Sequence, residues 1–236
     1  MDKLLWGPPA GPRRGPRPAF TLDDIARAGI AIADSDGLAA VTMQRVADQL
    51  GVTKMALYRY VPGKAELVAL MLDIGLGGPP PPAGHDWRTA LDAWSHALFA
   101  AFAAHPWATE AAVGARVIGP NELGWLEAAV AALADTGLHG AEMLDVAATL
   151  AGHVRSLAQQ AASMPADAEG ALDDAIAALV SGREDRFPAL SAAIAAARTG
   201  GPQNQALAFG LARILDGVAA LIAERAAGAT STHPVP

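Results

Sequence analysis

The stretch TMQRVADQLGVTKMALYRY, residues 42–60, decides how this chain is read. Thr42 and Thr53 stand where helix N-caps belong, each accepting a bond from a backbone N–H of its own first turn. Between them, Ala47 offers a side chain small enough for two helices to cross closely. Gly51, four residues on, takes the left-handed conformation that a tight turn demands. Val46, Leu50, Val52 and Leu57 are spaced to form a small core against flanking helices. The pattern predicts a helix-turn-helix. Its second helix then presents Thr53, Lys54 and Met55 to solvent, with Tyr58 and Arg59 one turn further on, which is how a recognition helix enters a major groove. Thr53 and Lys54 suit base edges or phosphates, and Met55 suits a thymine methyl. Thr42 and Arg45 at the first helix, with Tyr58 and Tyr60, complete the candidate contacts; Tyr60 is equally suited to half-buried packing. Taken alone, an Ala-x3-Gly spacing is common in alanine-rich helical proteins. The two caps, the turn glycine and the placing of the lysines give it weight.

Upstream, Thr21 caps a first helix that has Asp23 and Asp24 in its first turn, an apolar stripe of Leu22, Ile25, Ala28, Ile30 and Ile32, and a stop near Asp36-Gly37. Downstream, a fourth helix starts after Pro62-Gly63, where Lys64, the free N–H groups and the helix dipole suit a phosphate. Residues 1–19 hold five prolines and three glycines together with Arg13, Arg14 and Arg17. They are expected to form a disordered basic arm, either a solvated tail or a minor-groove and backbone contact. Residues 20–74 then form the DNA-binding unit, and the glycine- and proline-rich segment 75–86 a linker. Helical patterns follow at 87–104, 122–135, 140–163, 171–181, 188–198 and 203–227, within a domain spanning 87–228 and ending in a disordered tail, 229–236.

Composition agrees with an all-α fold of about nine to ten helices: a three-helix helix-turn-helix unit with its following helix, and a larger helical domain behind. The chain is alanine-rich and 52% hydrophobic, and residue types that favour strands are sparse. It has no cysteine, which excludes disulfides, thiolate metal sites and cysteine nucleophiles. No run of about 18 uncharged apolar residues is present, and Met1–Arg17 has no apolar signal region, so a cytoplasmic protein without a membrane partner is expected. The formal charge of −7 is unevenly spread. Residues 1–64 carry nine Lys and Arg against six Asp and Glu, and residues 65–236 carry eight against eighteen. All three lysines (Lys3, Lys54, Lys64) lie in the first segment, as a nucleic-acid module joined to an acidic domain would have them.

Over Phe20 to Asp73, the sequence resembles the TetR-family DNA-binding domain: the helix led by Thr42, LGVTK, ALYRYV and then PGKAEL. Behind it, His105-Pro106-Trp107, Gly119-Pro120-Asn121 and the helix from Glu122 resemble, more weakly, regulatory domains of the tetracycline-repressor-like branch. The resemblance implies a homodimer on double-stranded operator DNA, a helical pocket for a small-molecule effector, and release of DNA on binding it. Met55 departs from the small residue many relatives carry there. The magnesium-binding histidine of tetracycline repressors has no counterpart that can be mapped residue by residue, so neither metal nor cofactor is expected.

The resemblance also implies dimerisation through two late helices, for which 140–163 and 203–227 are the candidates. Leu150, Val154, Leu157 and Ala161, and Leu211, Leu215, Val218 and Ile222, form stripes that suit either a dimer seam or plain core. Four of the five tryptophans fall between residues 87 and 125. Trp94, Phe99, Phe102, Trp107 and Trp125 suit the walls of a pocket for an apolar ligand, or simply the core. His153, Leu157 and Gln160 are the pocket candidates on 140–163, where Arg155 and Gln159 are also polar; a ligand, the other subunit or solvent would each satisfy them. No catalytic residue is expected. Asp173-Asp174 and Glu184-Asp185 are adjacent pairs that diverge, His96 and His105 lack a metal-like i, i+4 partner, and no nucleophile or phosphate-loop motif occurs. The rival from another class is an architectural or constitutive DNA-binding protein whose back half only dimerises.

Overall fold

The computed structural model describes residues 2–7, 20–84, 86–163, 168–197 and 206–231, and among these every regular element is helical. In chain order they are α1 (Asp2–Leu5), α2 (Leu22–Asp36), a 3-10 turn (Leu38–Ala40), α3 (Met43–Gln49), α4 (Lys54–Tyr58), α5 (Lys64–Leu76), α6 (Trp87–Ala104), α7 (Trp107–Ala111), α8 (Pro120–Ala132), α9 (Gly140–Ser163), α10 (Ala168–Val180), α11 (Pro188–Ala197) and α12 (Ala206–Ser231).

The front helices begin where their caps dictate. Thr21 and Asp24 form a reciprocal capping box on α2, while Thr42 and Thr53 accept from Arg45 N and Ala56 N at the starts of α3 and α4. Gly51 adopts φ +66° between α3 and α4. Val46, Ala47 and Leu57 are fully buried beneath this crossing.

α5 is the centre of the molecule. It is apolar on nearly every side, with Leu67, Leu70, Met71, Leu72 and Leu76 buried. On one flank it packs on α2, where Gly29 lets Met71 lie against the helix backbone: a Cβ there would fall 2.6 Å from Met71 Sδ. On the other flank it meets α7 and α8. Behind these, α9 packs on α6, α8 and α12. A single cluster of buried apolar side chains runs from Phe20 through Met71, Trp94 and Leu150 to Val218.

Several expectations need correction. Segment 75–86, read as a linker, is packed where it leaves α5. α5 continues through Leu76, the Gly77 carbonyl accepts from Trp125 Nε1 at 2.9 Å, and Pro79 lies against Gly124 of α8. Residues 2–7 of the expected disordered arm form a helical turn packed on α5, with Trp6 Nε1 donating to the Ile118 carbonyl at 2.9 Å. Arg13, Arg14 and Arg17 lie outside the described residues. The expected break at His105-Pro106 is followed by α7, a helix too short for its periodicity to be read. α8 starts two residues earlier than expected because Pro120 occupies its first turn, where a missing N–H costs nothing. α12 continues to Ser231, three residues into the expected tail.

Candidate DNA interface and ligand cavity

On α4, the candidate recognition helix, Met55 is the most exposed large apolar side chain of the molecule among those described, at 72%. Tyr58 is exposed beside it, with Lys54 Nζ 5.8 Å from its ring centroid. Thr53 and Arg59 are also exposed, as are Thr42 and Lys64 at the starts of α3 and α5. Thr53, Lys54, Met55, Tyr58 and Arg59 therefore share one solvent-facing surface on or beside a single short helix. Two candidates have other engagements. Arg45 is ion-paired with Asp36 at 2.5 Å, and the Tyr60 ring packs 4.6 Å from that of Phe20, half-buried. The Gly63 N-cap of α5 carries no side-chain cap bond, so its first N–H groups are not claimed by a capping side chain.

Two polar joints tie these helices to the rest. At the first, Asp34 of α2 accepts from Trp107 Nε1 at 2.7 Å and lies 2.8 Å from His105 Nδ1. At the second, buried Asp73 of α5 accepts from the Glu122 backbone N–H at 3.0 Å, and Asn121 Nδ2 donates to the Asp73 carbonyl. Burial pushes the Asp73 carboxyl above the usual carboxylate range, although the backbone N–H groups of Glu122 and Asn121 pull the other way. Gly119 is required here, because a Cβ would fall 2.2 Å from the Asp73 carboxyl. Glu122 is raised as well, chiefly by burial, with Arg116 as its ion-pair partner.

A cavity of about 280 Å³ opens between the end of α5 and helices α6, α8 and α9. Trp94, Phe102 and Trp125 line it as expected, the two indoles meeting edge to face at 5.8 Å and 72°. Their N–H groups are spent within the fold: Trp94 Nε1 donates to the Trp125 carbonyl and Trp125 Nε1 to the Gly77 carbonyl. Their rings are thus fixed as walls.

The other five candidates do not line this cavity. Trp107 is held against α2 and α5 by Asp34 and Gly75. Phe99 is half-buried on another face of α6. On α9 the cavity is lined by Ala147, Ala148, Ala151, Gly152 and Arg155. At 100° per residue, positions 153, 157 and 160 turn away from 151 and 155. His153 instead faces α12, where a Cβ on Gly210 would fall 2.2 Å from its Nε2, and that nitrogen is buried with no hydrogen-bond partner. Leu157 is half-buried and Gln160 exposed.

Sequence reasoning also missed lining residues. Leu76, Arg116 and Glu122 face the cavity, together with Arg155, one of the polar residues of 140–163 for which a ligand was a possible partner. Arg155 carried a signal, a charge in the middle of an alanine-rich helix; Arg116 sits in a loop with none. A larger depression of about 580 Å³ lies under Pro80–Pro82, walled mostly by proline, alanine and Trp87, and it touches no residue of α2 to α5.

On α12, Leu211, Leu215 and Val218 are buried against the bundle and Arg88 pairs with Asp216. Phe209 is 68% exposed, and Leu221 and Ile222 are half-buried. By length and composition alone, Ala206–Gly228 is apolar enough to cross a membrane. Its Arg213 and Asp216, and the contacts with α9 and α6, make it an element of the bundle.

Comparison with known proteins agrees with this architecture. The family model for bacterial regulatory proteins of the tetR family matches residues 25–71, and that for the tetracyclin repressor-like C-terminal domain matches residues 79–222. The chain is 35% identical over 245 residues to the HTH-type transcriptional repressor DrrR1 of Streptomyces coeruleorubidus, covering 94% of this chain and 86% of the relative. Apo ActR from Streptomyces coelicolor superposes with a TM-score of 0.77 at 25% identity, over 89% of this chain and 99% of that one. ActR in complex with actinorhodin gives 0.75 at 26%, over 85% and 96%. The chain belongs to the TetR family of helix-turn-helix proteins and is a ligand-responsive transcriptional regulator, not an enzyme.

Proposed function

We propose that this protein is a cytoplasmic repressor that binds a palindromic operator as a homodimer and leaves it when a small apolar effector fills the cavity between α5, α6, α8 and α9. One observation carries the reading: α5 reaches the cavity at one end and packs along α2, which packs on α3 and through it on the recognition helix α4. Its last residue, Leu76, lines the cavity, and Lys64 begins its other end. Thirteen residues at 1.5 Å each make a rod about 20 Å long.

The two recognition helices of a dimer must lie about 34–36 Å apart to enter successive major grooves. A ligand that shifts the end of α5 tilts the rod and changes that spacing. It acts only through its differential affinity for the two states, typically about 1–3 kcal/mol of coupling. In this reading residues 20–74 bind DNA and 87–228 bind effector and partner. Thr53, Lys54, Met55, Tyr58 and Arg59 meet the groove, and Thr42, Arg45, Tyr60 and Lys64 meet backbone. The uncovered faces of α9 and α12 pair in a four-helix seam.

The test is binding of the purified protein to DNA flanking its own gene, followed by fluorescence anisotropy. Site-selective binding that disappears in Lys54→Ala/Tyr58→Ala, with the variant still folded by circular dichroism, is the expected result. Equal affinity for random duplexes, both there and in a selection from random sequence, refutes a specific operator.

A further inference from the structure

We infer that the cavity between α5, α6, α8 and α9 selects flat aromatic molecules bearing an anionic oxygen, a carboxylate or phenolate, and that Arg116 and Arg155 hold that oxygen. The inference rests on the reading of this cavity as the effector site and narrows its apolar effector to an aromatic body that carries one charged oxygen.

Charge is the first ground. The back of the molecule is acidic, with eight arginines against eighteen carboxylates in residues 65–236. The cavity reverses that balance, since two guanidiniums, Arg116 and Arg155, face it against one carboxylate, Glu122. Burial pushes the Glu122 carboxyl upward, which weakens the only opposing charge.

Unspent bonding capacity is the second ground. Arg116 is four-fifths buried and paired through one terminal nitrogen with Glu122, yet its Nε is buried without an acceptor. No carboxylate lies within ion-pair distance of Arg155 among the described residues, and Arg155 is half-buried at the same cavity. A guanidinium presents five N–H donors in a plane and accepts nothing, so its natural complement is an oxygen anion.

Shape is the third ground. Trp94, Phe102 and Trp125 supply rigid aromatic walls whose own N–H groups are already satisfied, which leaves them apolar surface for a ring system. A cation of the same shape meets two like charges.

The probes are anthracene-2-carboxylate and its neutral counterpart 2-(hydroxymethyl)anthracene, titrated against the full-length protein by quenching of tryptophan emission. The carboxylate is expected to bind at least tenfold more tightly than the alcohol. That preference should fall below threefold in Arg116→Met/Glu122→Gln, which removes both members of the buried pair together. It should also fall in Arg155→Met, a milder change at a half-exposed site, while affinity for the alcohol stays within threefold of wild type.

Ala148→Trp, at the exposed side of the cavity, should block both probes. Equal binding of the two probes by wild type, a preference that survives both arginine variants, or no binding of either probe overturns the inference. If Ala148→Trp blocks both probes but no charge preference exists, only the anion selection fails. If binding survives Ala148→Trp, the reading of this cavity as the ligand site fails with it.

Discussion

Replacing Asp34 by alanine should loosen the joint between the DNA-binding helices and the rest of the molecule, by an amount that the geometry sets. The Asp34 carboxylate accepts from the Trp107 indole N–H at 2.7 Å and lies 2.8 Å from His105 Nδ1. Hydrogen bonds to a charged group contribute about 1.5–3 kcal/mol each, so the gross loss is roughly 3–6 kcal/mol. Solvent reduces it. The Asp34 side chain is 36% exposed and that of His105 23%, so water replaces part of what is lost. The buried indole N–H has the poorest access to water and sets the net cost, which we put at about 2 kcal/mol. For a chain of this size 1 kcal/mol lowers Tm by roughly 2–4 °C, so Asp34→Ala should melt about 4–8 °C below wild type.

The assay is thermal unfolding by circular dichroism at a fixed protein concentration, because a dimer's Tm depends on concentration. Trp107→Phe removes the same indole bond from the other side, so the double variant should cost less than the two single losses combined. Asp34→Asn keeps one acceptor oxygen and should fall between alanine and wild type. A Tm for Asp34→Ala within 1 °C of wild type, or strict additivity with Trp107→Phe, refutes the reasoning.

Three further outcomes are expected. Gly51→Ala places a Cβ in a left-handed turn at φ +66° with open space around it; the cost is backbone strain alone, about 1–2 kcal/mol, read as a lower denaturation midpoint, and an unchanged midpoint refutes it. Asp73→Asn should become more favourable relative to wild type as pH rises. The raised carboxyl of Asp73 benefits the fold only while protonated, so that benefit is complete below its ordinary value of 3.8 and lost as pH climbs through the raised one. Melting both proteins between pH 4 and 8 checks this, and a pH-independent difference contradicts it. Phe209→Glu alters a side chain that a single chain leaves 68% exposed; light scattering should show a monomer of unchanged helicity, and a persistent dimer removes this face of α12 from the interface.

The front of the fold was legible because its determinants are local. Thr42, Gly51 and Thr53 each act within four residues of themselves, through a cap or a left-handed turn, and no distant partner is needed to interpret them. The back was legible only as a set of helices. On an alanine-rich helix such as α9 the contrast between apolar and polar positions is too weak to fix its rotation. His153, Leu157 and Gln160 were accordingly expected on the cavity side, where Ala147, Ala151 and Arg155 stand instead. Trp107 shows another limit. Its partner, Asp34, lies 73 residues away in sequence and is delivered to it by the packing of α2 on α5.

The proline-rich segment shows what a run of prolines can and cannot interrupt. Pro79 to Pro82 cannot continue a helix, and a boundary in chain direction is real: α5 ends at Leu76. A boundary in the core does not follow from it. Prolines have no N–H to satisfy and carry apolar rings, so such a segment can lie flat on a neighbour, as Pro79 does on Gly124. The Gly77 carbonyl just before it takes the Trp125 indole, so the wall of the cavity is bonded directly to the end of the helix that supports the DNA-binding unit. A loose segment at this point would let the helices on its two sides move independently. A continuous core through Leu67, Met71 and Leu76 makes α5 a shared structural member, and any change in the Trp125 wall must be accommodated by movement of that helix or by loss of the bond.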